Sequence, residues 1–199
     1  TLSALTHRSG AVALPGRARL EVAMRMEPAA PAQNVLGILP GRDPALQNEV
    51  VILGGHYDHL GRLPTGLYYA GANDNASGVA ALLEIARSWH EAGFTPERTV
   101  LFAAWDGEEK GLLGARYYVR HPVYPLESTV AMLQLDMVGA SPEPLLLLDG
   151  EGLVAEHALA AASELGVQVR VAEVGRSDHV PFREAGVAAT LFIWSALDA

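Results

Sequence analysis

Five polar stretches of this sequence carry side chains that could hold a metal ion or move a proton. In Gly54-Gly55-His56-Tyr57-Asp58-His59, an imidazole stands two residues before a carboxylate. A metal-binding imidazole usually needs a partner that fixes its tautomer, and Asp58 is placed to be one. The two glycines would let the backbone turn tightly ahead of His56; the plainer reading is a polar strand end with a surface histidine. Asp74 lies among small residues in Gly71-Ala72-Asn73-Asp74-Asn75-Ala76-Ser77-Gly78. There Asn75 or Ser77 could simply cap the helix that follows, and an acid near a helix start is favoured by the dipole. Glu108 and Glu109 are adjacent, so one can bind metal while its neighbour takes a proton from water. As a plain alternative they form the acidic first turn of a helix. Asp136 ends an otherwise apolar run, where an unpaired carboxylate would be costly and needs a cation or several donors. His179, in Ser177-Asp178-His179-Val180-Pro181-Phe182, is the last of the set.

Each stretch is ambiguous alone, but together they offer two histidines and three carboxylates. With one carboxylate bridging, that set gives each of two zinc ions three protein ligands and an open position for shared water. The chain has no cysteine, so disulfides and thiolate chemistry are excluded and any metal must take nitrogen and oxygen ligands. His7, His90, His121 and His157 read as surface residues. His59 is less settled, because it lies so close to His56.

The elements that must position these groups follow from the apolar pattern. Val50–Leu53, Thr99–Ala104, Val130–Leu135, Leu145–Leu148 and Ala188–Trp194 are short continuous apolar runs, suited to strands buried on both faces. Between them lie helical stretches. Val79, Leu82, Leu83 and Ala86 recur at helical spacing in 76–92, which Gly93 ends. Leu112–Arg120 stops before Pro122, and a third helix through Val154, Ala158, Ala161 and Leu165 is closed by Gly166. Two further strands precede these, Arg19–Met26 with alternating Leu20, Val22, Met24 and Met26, and Asn34–Leu39. Strand and helix in alternation predict a three-layer α/β/α domain on a mostly parallel mixed sheet, with an antiparallel edge from the first two strands. All five polar stretches then follow a strand or open a helix, where ligand crevices of such sheets lie.

Composition is consistent with this reading. The 199 residues suit one domain, 50% are hydrophobic and 19% charged. The net charge is −9, from 14 basic against 23 acidic residues, with no basic cluster, which argues against a nucleic-acid partner. No run is long and apolar enough for a membrane span, and no N-terminal stretch reads as a signal peptide.

The order His56-Tyr57-Asp58, Asn73-Asp74-Asn75-Ala76-Ser77-Gly78, Glu108-Glu109, Asp136 and Ser177-Asp178-His179 resembles the co-catalytic zinc peptidases of the aminopeptidase Y group, which include the bacterial leucyl aminopeptidases. The resemblance runs from about Asn34 to Trp194 and implies a zinc-exopeptidase (phosphorylase/hydrolase-like) fold. It also implies two Zn2+, for which Co2+ or Mn2+ could substitute, and a peptide substrate with a free N-terminus. Carried over, Asp74 bridges the ions, His56 and Asp136 complete one, and Glu109 and His179 complete the other. Glu108 becomes the general base that later protonates the leaving amine, and Asp58 orients His56. A cis peptide is expected between Asp74 and Asn75. Tyr68, Tyr69 and Arg176 are candidates to stabilise the oxyanion. Relatives continue past Asp198-Ala199 and many have more chain at the N-terminus, so the sequence reads as a trimmed core. The bacterial members are often exported, which points to a secreted, periplasmic or cell-envelope protein, with a cytoplasmic one as the alternative. A carboxypeptidase or glutaminyl cyclase on the same scaffold, or a non-catalytic module, remain the alternatives.

Overall fold

The computed structural model describes residues 31–139, 145–173 and 176–195. The chain divides into two units, Thr1–Pro31 and Ala32–Ala199, and every element below lies in the second. The expected strand over Arg19–Met26 falls outside the described residues.

Seven strands form one mixed sheet: β1 (Val35–Leu39), β2 (Val50–His56), β3 (Thr99–Trp105), β4 (Thr129–Leu135), β5 (Leu145–Asp149), β6 (Gln168–Val171) and β7 (Ala189–Ser195), in the order β1-β3-β2-β4-β7-β5-β6. The central strands β3, β2, β4 and β7 run parallel, and β1 pairs antiparallel with β3. β5 pairs antiparallel with β7 and parallel with β6, so the last two strands run against the central four. An apolar run reports burial but not direction, which is why β5 was legible as a strand and its orientation was not.

Side chains alternate across a strand, and the core divides accordingly. On one face Ile52, Leu101, Ala103, Trp105 and Met132 pack with Ala115 and Tyr118 of α2 (Leu113–Arg120) and Phe182 of α4 (His179–Glu184). The rings of Trp105, Tyr118 and Phe182 meet at centroid distances of 5.4, 5.7 and 5.9 Å, tying both helices to β3. On the opposite face Leu53 and Val100 pack with Leu82, Ile85 and Trp89 of α1 (Ala76–Glu91). Helices therefore cover both faces, as the alternation of elements predicts. A fourth helix, α3 (Gly152–Glu164), packs on β6 and β7.

Two local features differ from the sequence reading. The buried stripe of α1 runs through Leu82, Ile85 and Trp89, while Leu83 is 67% exposed. Gly54 and Gly55 make no turn, because β2 continues through both to His56. Their role is close approach: a Cβ on Gly54 would stand 2.5 Å from Trp105 Nε1 and 2.6 Å from Gln134 Oε1, so only glycine lets these side chains lie under the strand end.

Strand order sets where ligands can bind. The chain passes from β2 to β3 on one side and returns to β4 on the other side of β2, and the crevice opens beyond the carboxyl ends at such a switch. His56 ends β2, the 106–109 turn follows β3, Asp136 follows β4, and Asp74 lies just before α1.

Candidate metal centre

Asp74 sits between two groups of side chains. His56, Asp74 and Asp136 offer ligand atoms within 4.8 Å of one another, and so do His59, Asp74 and Glu109. Asp74 Oδ1 lies 3.3 Å from His56 Nε2, whereas Oδ2 lies 3.8 Å from His59 Nδ1, so the two oxygens face different groups. His56 Nε2 is also 3.4 Å from Asp136 Oδ1, and His59 Nδ1 is 2.8 Å from Glu109 Oε1.

Each carboxylate is aimed by its neighbours. The Asp74–Asn75 peptide is cis, as the resemblance implied. Asn75, 1% exposed, caps α1 by accepting from Gly78 N at 3.0 Å. The same Oδ1 accepts from Met137 N at 3.1 Å, and Nδ2 donates to Leu135 O at 2.9 Å. Ser77 Oγ accepts from Val138 N and Asn73 Oδ1 from Gly139 N, at 2.9 and 3.0 Å. The small polar residues around Asp74 thus do more than cap a helix. They clamp 135–139, fix Asp136 between two anchored residues, and hold Met137 at φ 53, a left-handed backbone that disfavours a residue with a Cβ. Ser177 Oγ donates to Asp136 Oδ2 at 2.8 Å, which leaves Oδ1 turned toward His56.

Asp58 serves both groups. Its Oδ1 and Oδ2 accept from the backbone N–H groups of Glu108 and Glu109, at 2.9 and 3.2 Å. Its backbone carbonyl is the nearer partner of His56 Nδ1, at 3.1 Å against 3.7 Å for the carboxylate. A proton on Nδ1 shared with that carbonyl leaves Nε2 free to ligate. Asp58 therefore orients His56 chiefly through its main chain, while its side chain positions the glutamate pair.

His179 is not brought to the second group, which corrects the ligand set read from the sequence. It begins α4, is fully buried, and has Asp149 Oδ2 at 3.9 Å from Nε2. Burial, then the charge of Arg183, lower its pKa to about 4, so it stays neutral in the core. His59 stands at the second group instead; the available signal was its spacing, three residues past the end of β2 and beside His56. Of the other histidines, His90, His121 and His157 are exposed, and His7 lies outside the described residues.

The electrostatics are those of acids crowded into a low-dielectric cleft. Burial lowers the pKa of His56, but hydrogen bonding and charge from Asp136, with Glu108 and Asp178, overcome it and raise the value to about 9. Burial raises Glu108 to about 7; the His56 charge opposes this and Asp136, Glu109 and Asp58 add to it. Burial and the charge of Asp136 also raise Asp74. Asp178, fully buried beneath the cleft, is raised well above the ordinary range, chiefly by desolvation.

These donors fit a pair of zinc ions. They are nitrogen and oxygen atoms only, three to each group with one residue shared. Asp136 Oδ1, His59 Nδ1 and Glu109 Oε1 are buried, and their nearest polar neighbours are members of the same two groups, His56 Nε2 at 3.4 Å from Asp136 Oδ1 and the 2.8 Å contact between His59 Nδ1 and Glu109 Oε1. A cation shared within each group would satisfy all three.

Several known proteins are similar to this chain. Leupeptin-inactivating enzyme 1 of Streptomyces exfoliatus is 34% identical over 157 residues, covering 77% of this chain and 34% of that protein. Aminopeptidase YwaD of Bacillus subtilis is 35% identical over 171 residues, covering 82% and 36% respectively. Among solved structures, BSAP, a zinc aminopeptidase from Bacillus subtilis, superimposes with a TM-score of 0.69 at 32% identity, over 81% of this chain and 40% of that one. The chain spans about a third of the length of these two curated relatives. The family model for peptidase family M28 matches residues 34–198, and the chain belongs to that family.

Proposed function

We propose that this chain hydrolyses peptide bonds with two zinc ions and releases the N-terminal residue of a peptide whose amine is free. The observation that carries this reading is the division of Asp74 between two ligand groups, with the buried Glu108 carboxyl interacting by charge with His56, Asp136 and Glu109. His56, Asp74 and Asp136 would hold one ion, and Asp74, Glu109 and His59 the other. Zinc supplies polarisation of the scissile carbonyl and acidification of water to a pKa of about 7.

The chain's own residues do the rest. Glu108 is the base: its carboxyl at about 7 is poised to take a proton from water and return it to the leaving amine. Bound dications would draw that value down and keep the carboxylate ready as acceptor. Asp58 keeps Glu108 and Glu109 in register by holding both backbone N–H groups. The names of the relatives supply the choice of the amino end, since zinc ligands alone do not encode which end of a peptide is held.

The test is hydrolysis of aminoacyl nitroanilides by the wild type and by Glu108→Gln, with zinc content measured for both. Loss of a general base costs roughly 100- to 10,000-fold in kcat, with zinc content unchanged. Normal turnover by Glu108→Gln removes that residue from the role. Equal cleavage of N-acetylated and free substrates removes the aminopeptidase reading.

A further inference from the structure

The turn that carries Glu108 and Glu109 is a loop closed on itself. It leaves β3 at Asp106 and returns at Gly114, in the first turn of α2. There Gly114 N donates to Asp106 O at 2.8 Å and Leu113 N to Gly107 O at 3.0 Å, and inside the loop Gly111 N and Leu112 N both donate to Glu108 O at 2.9 Å. Gly107, Gly111 and Leu112 take the left-handed backbone, at φ 70, 105 and 61. Leucine carries a Cβ, so its surroundings must hold it there. Asp58 grips the loop at Glu108 N and Glu109 N. The hold at its neck comes from Asn34, immediately before β1. Antiparallel pairing of Val35 with Ala104 brings the start of β1 beside the end of β3. Asn34 Oδ1 accepts from Asp106 N at 3.2 Å and Nδ2 donates to Gly114 O at 2.8 Å, so one amide spans both ends of the loop.

We propose that Asn34 is a positioning residue of the reaction, whose amide clamps the neck of the 106–114 loop and so sets where Glu108 and Glu109 stand. The inference rests on the roles given above to those two glutamates and adds the residue that places them. Chemical fit is the first ground. The loop ends offer one N–H and one C=O, and an amide side chain meets both, whereas aspartate has no donor and alanine has neither group. Close approach is the second. A Cβ on Gly114 would collide with Asn34 Oδ1 and stand 2.5 Å from Asp106 O, so the absence of a side chain at 114 is what lets the amide in. Reinforcement is the third. Gln33 N donates to Asp106 Oδ2 at 2.9 Å, and the Tyr57 hydroxyl lies 2.6 Å from Gln33 O and 3.1 Å from Asp106 Oδ2. Gln33 and Asn34 together thus form a strap across the loop, tied to the residue that follows His56. Precision matters here, because misplacing a reacting group by about 1 Å costs on the order of 100-fold in rate.

The experiment compares Asn34→Ala, Asn34→Asp and the neighbouring control Val35→Ala with the wild type, each well below its own Tm. It measures kcat and KM for an aminoacyl nitroanilide, and it titrates the metal-free proteins with zinc by calorimetry as a readout apart from turnover. Both Asn34 variants should lower kcat about 10- to 100-fold, the range for residues that orient metal ligands, with KM little changed. Both should weaken the zinc held by Glu109 and leave the zinc held by His56 and Asp136, a split that a general loss of stability does not produce. Val35→Ala, at a side chain 62% exposed, should change neither measurement. Asn34→Asp keeps the shape of the side chain, so the comparison stands even where Asn34→Ala fails to fold. Wild-type kcat and zinc binding in the Asn34 variants overturn the proposal while leaving the two-zinc reading intact, as does equal weakening of both ions. Normal turnover by Glu108→Gln overturns the role of the base and this proposal with it.

Discussion

Replacing Asn75 by alanine should damage the fold and the metal centre together. Asn75 is 1% exposed and makes contacts at 3.0 Å to Gly78 N, 3.1 Å to Met137 N and 2.9 Å from Nδ2 to Leu135 O. Each such bond contributes about 1 kcal/mol net, and a buried group left unpaired costs about 1–3 kcal/mol. The loss should therefore be about 3–5 kcal/mol, a large share of a domain's usual 5–15 kcal/mol. At roughly 2–4 °C per kcal/mol for this size, Tm should fall by about 10 °C. Leu135 and Met137 flank Asp136, so releasing them should also loosen the first ligand group. Urea unfolding at fixed protein concentration, with chelator and with excess zinc, measures both effects. The variant should lose stability in each condition and gain less from zinc than the wild type does. A loss below about 1 kcal/mol with the full gain from zinc would refute the clamp.

Asp58→Ala removes two charge-assisted acceptors from the glutamate turn, each contributing about 1.5–3 kcal/mol. It should lower kcat/KM by at least about 100-fold and weaken zinc binding, measured by competition with a chromophoric chelator; zinc affinity and turnover at wild-type levels would contradict the positioning role. The pH dependence of stability should differ between the metal-free and the zinc-loaded protein. In metal-free protein the His56 pKa is raised from 6.5 to about 9, so its stabilisation is fully present below 6.5 and is lost as pH rises to about 9. Metal-free Tm should therefore fall across that window. Zinc requires His56 without its proton, so zinc affinity should rise over the same window and zinc-loaded Tm should not follow the fall. Parallel curves for the two forms would show that His56 is not displaced of its proton by metal.

Most of the scaffold was legible because the sequence repeats its structural logic locally. The 50–53, 99–104 and 130–135 runs could only be buried strands between helices of clear period, and Gly93 and Gly166 sit at φ 63 and 67 where α1 and α3 end. β6 escaped notice because Gln168–Val171 is short and mostly exposed, so it lacks the apolar contrast that marks a strand. Four of the five expected ligands, His56, Asp74, Glu109 and Asp136, come together because His56 ends β2, Glu109 lies in the turn after β3, Asp136 follows β4 and Asp74 stands just before α1 at the same end of the sheet. His179 and His59 could not be told apart by spacing. Both stand next to an aspartate, and only packing reveals that one is sealed in the core beside Asp149 and Arg183 while the other opens on Glu109. The roles of Asn73, Asn75 and Ser77 toward 137–139 were likewise hidden, since those partners lie more than sixty residues away.

The sharing of Asp74 by two ions is most directly tested by zinc titration of metal-free protein, with His59→Ala and His179→Ala measured alongside. The wild type should bind two zinc ions per chain, His59→Ala should lose or severely weaken one, and His179→Ala should keep both. A wild type that binds one ion or none, or a His59→Ala variant that keeps two while His179→Ala loses one, would contradict the centre described.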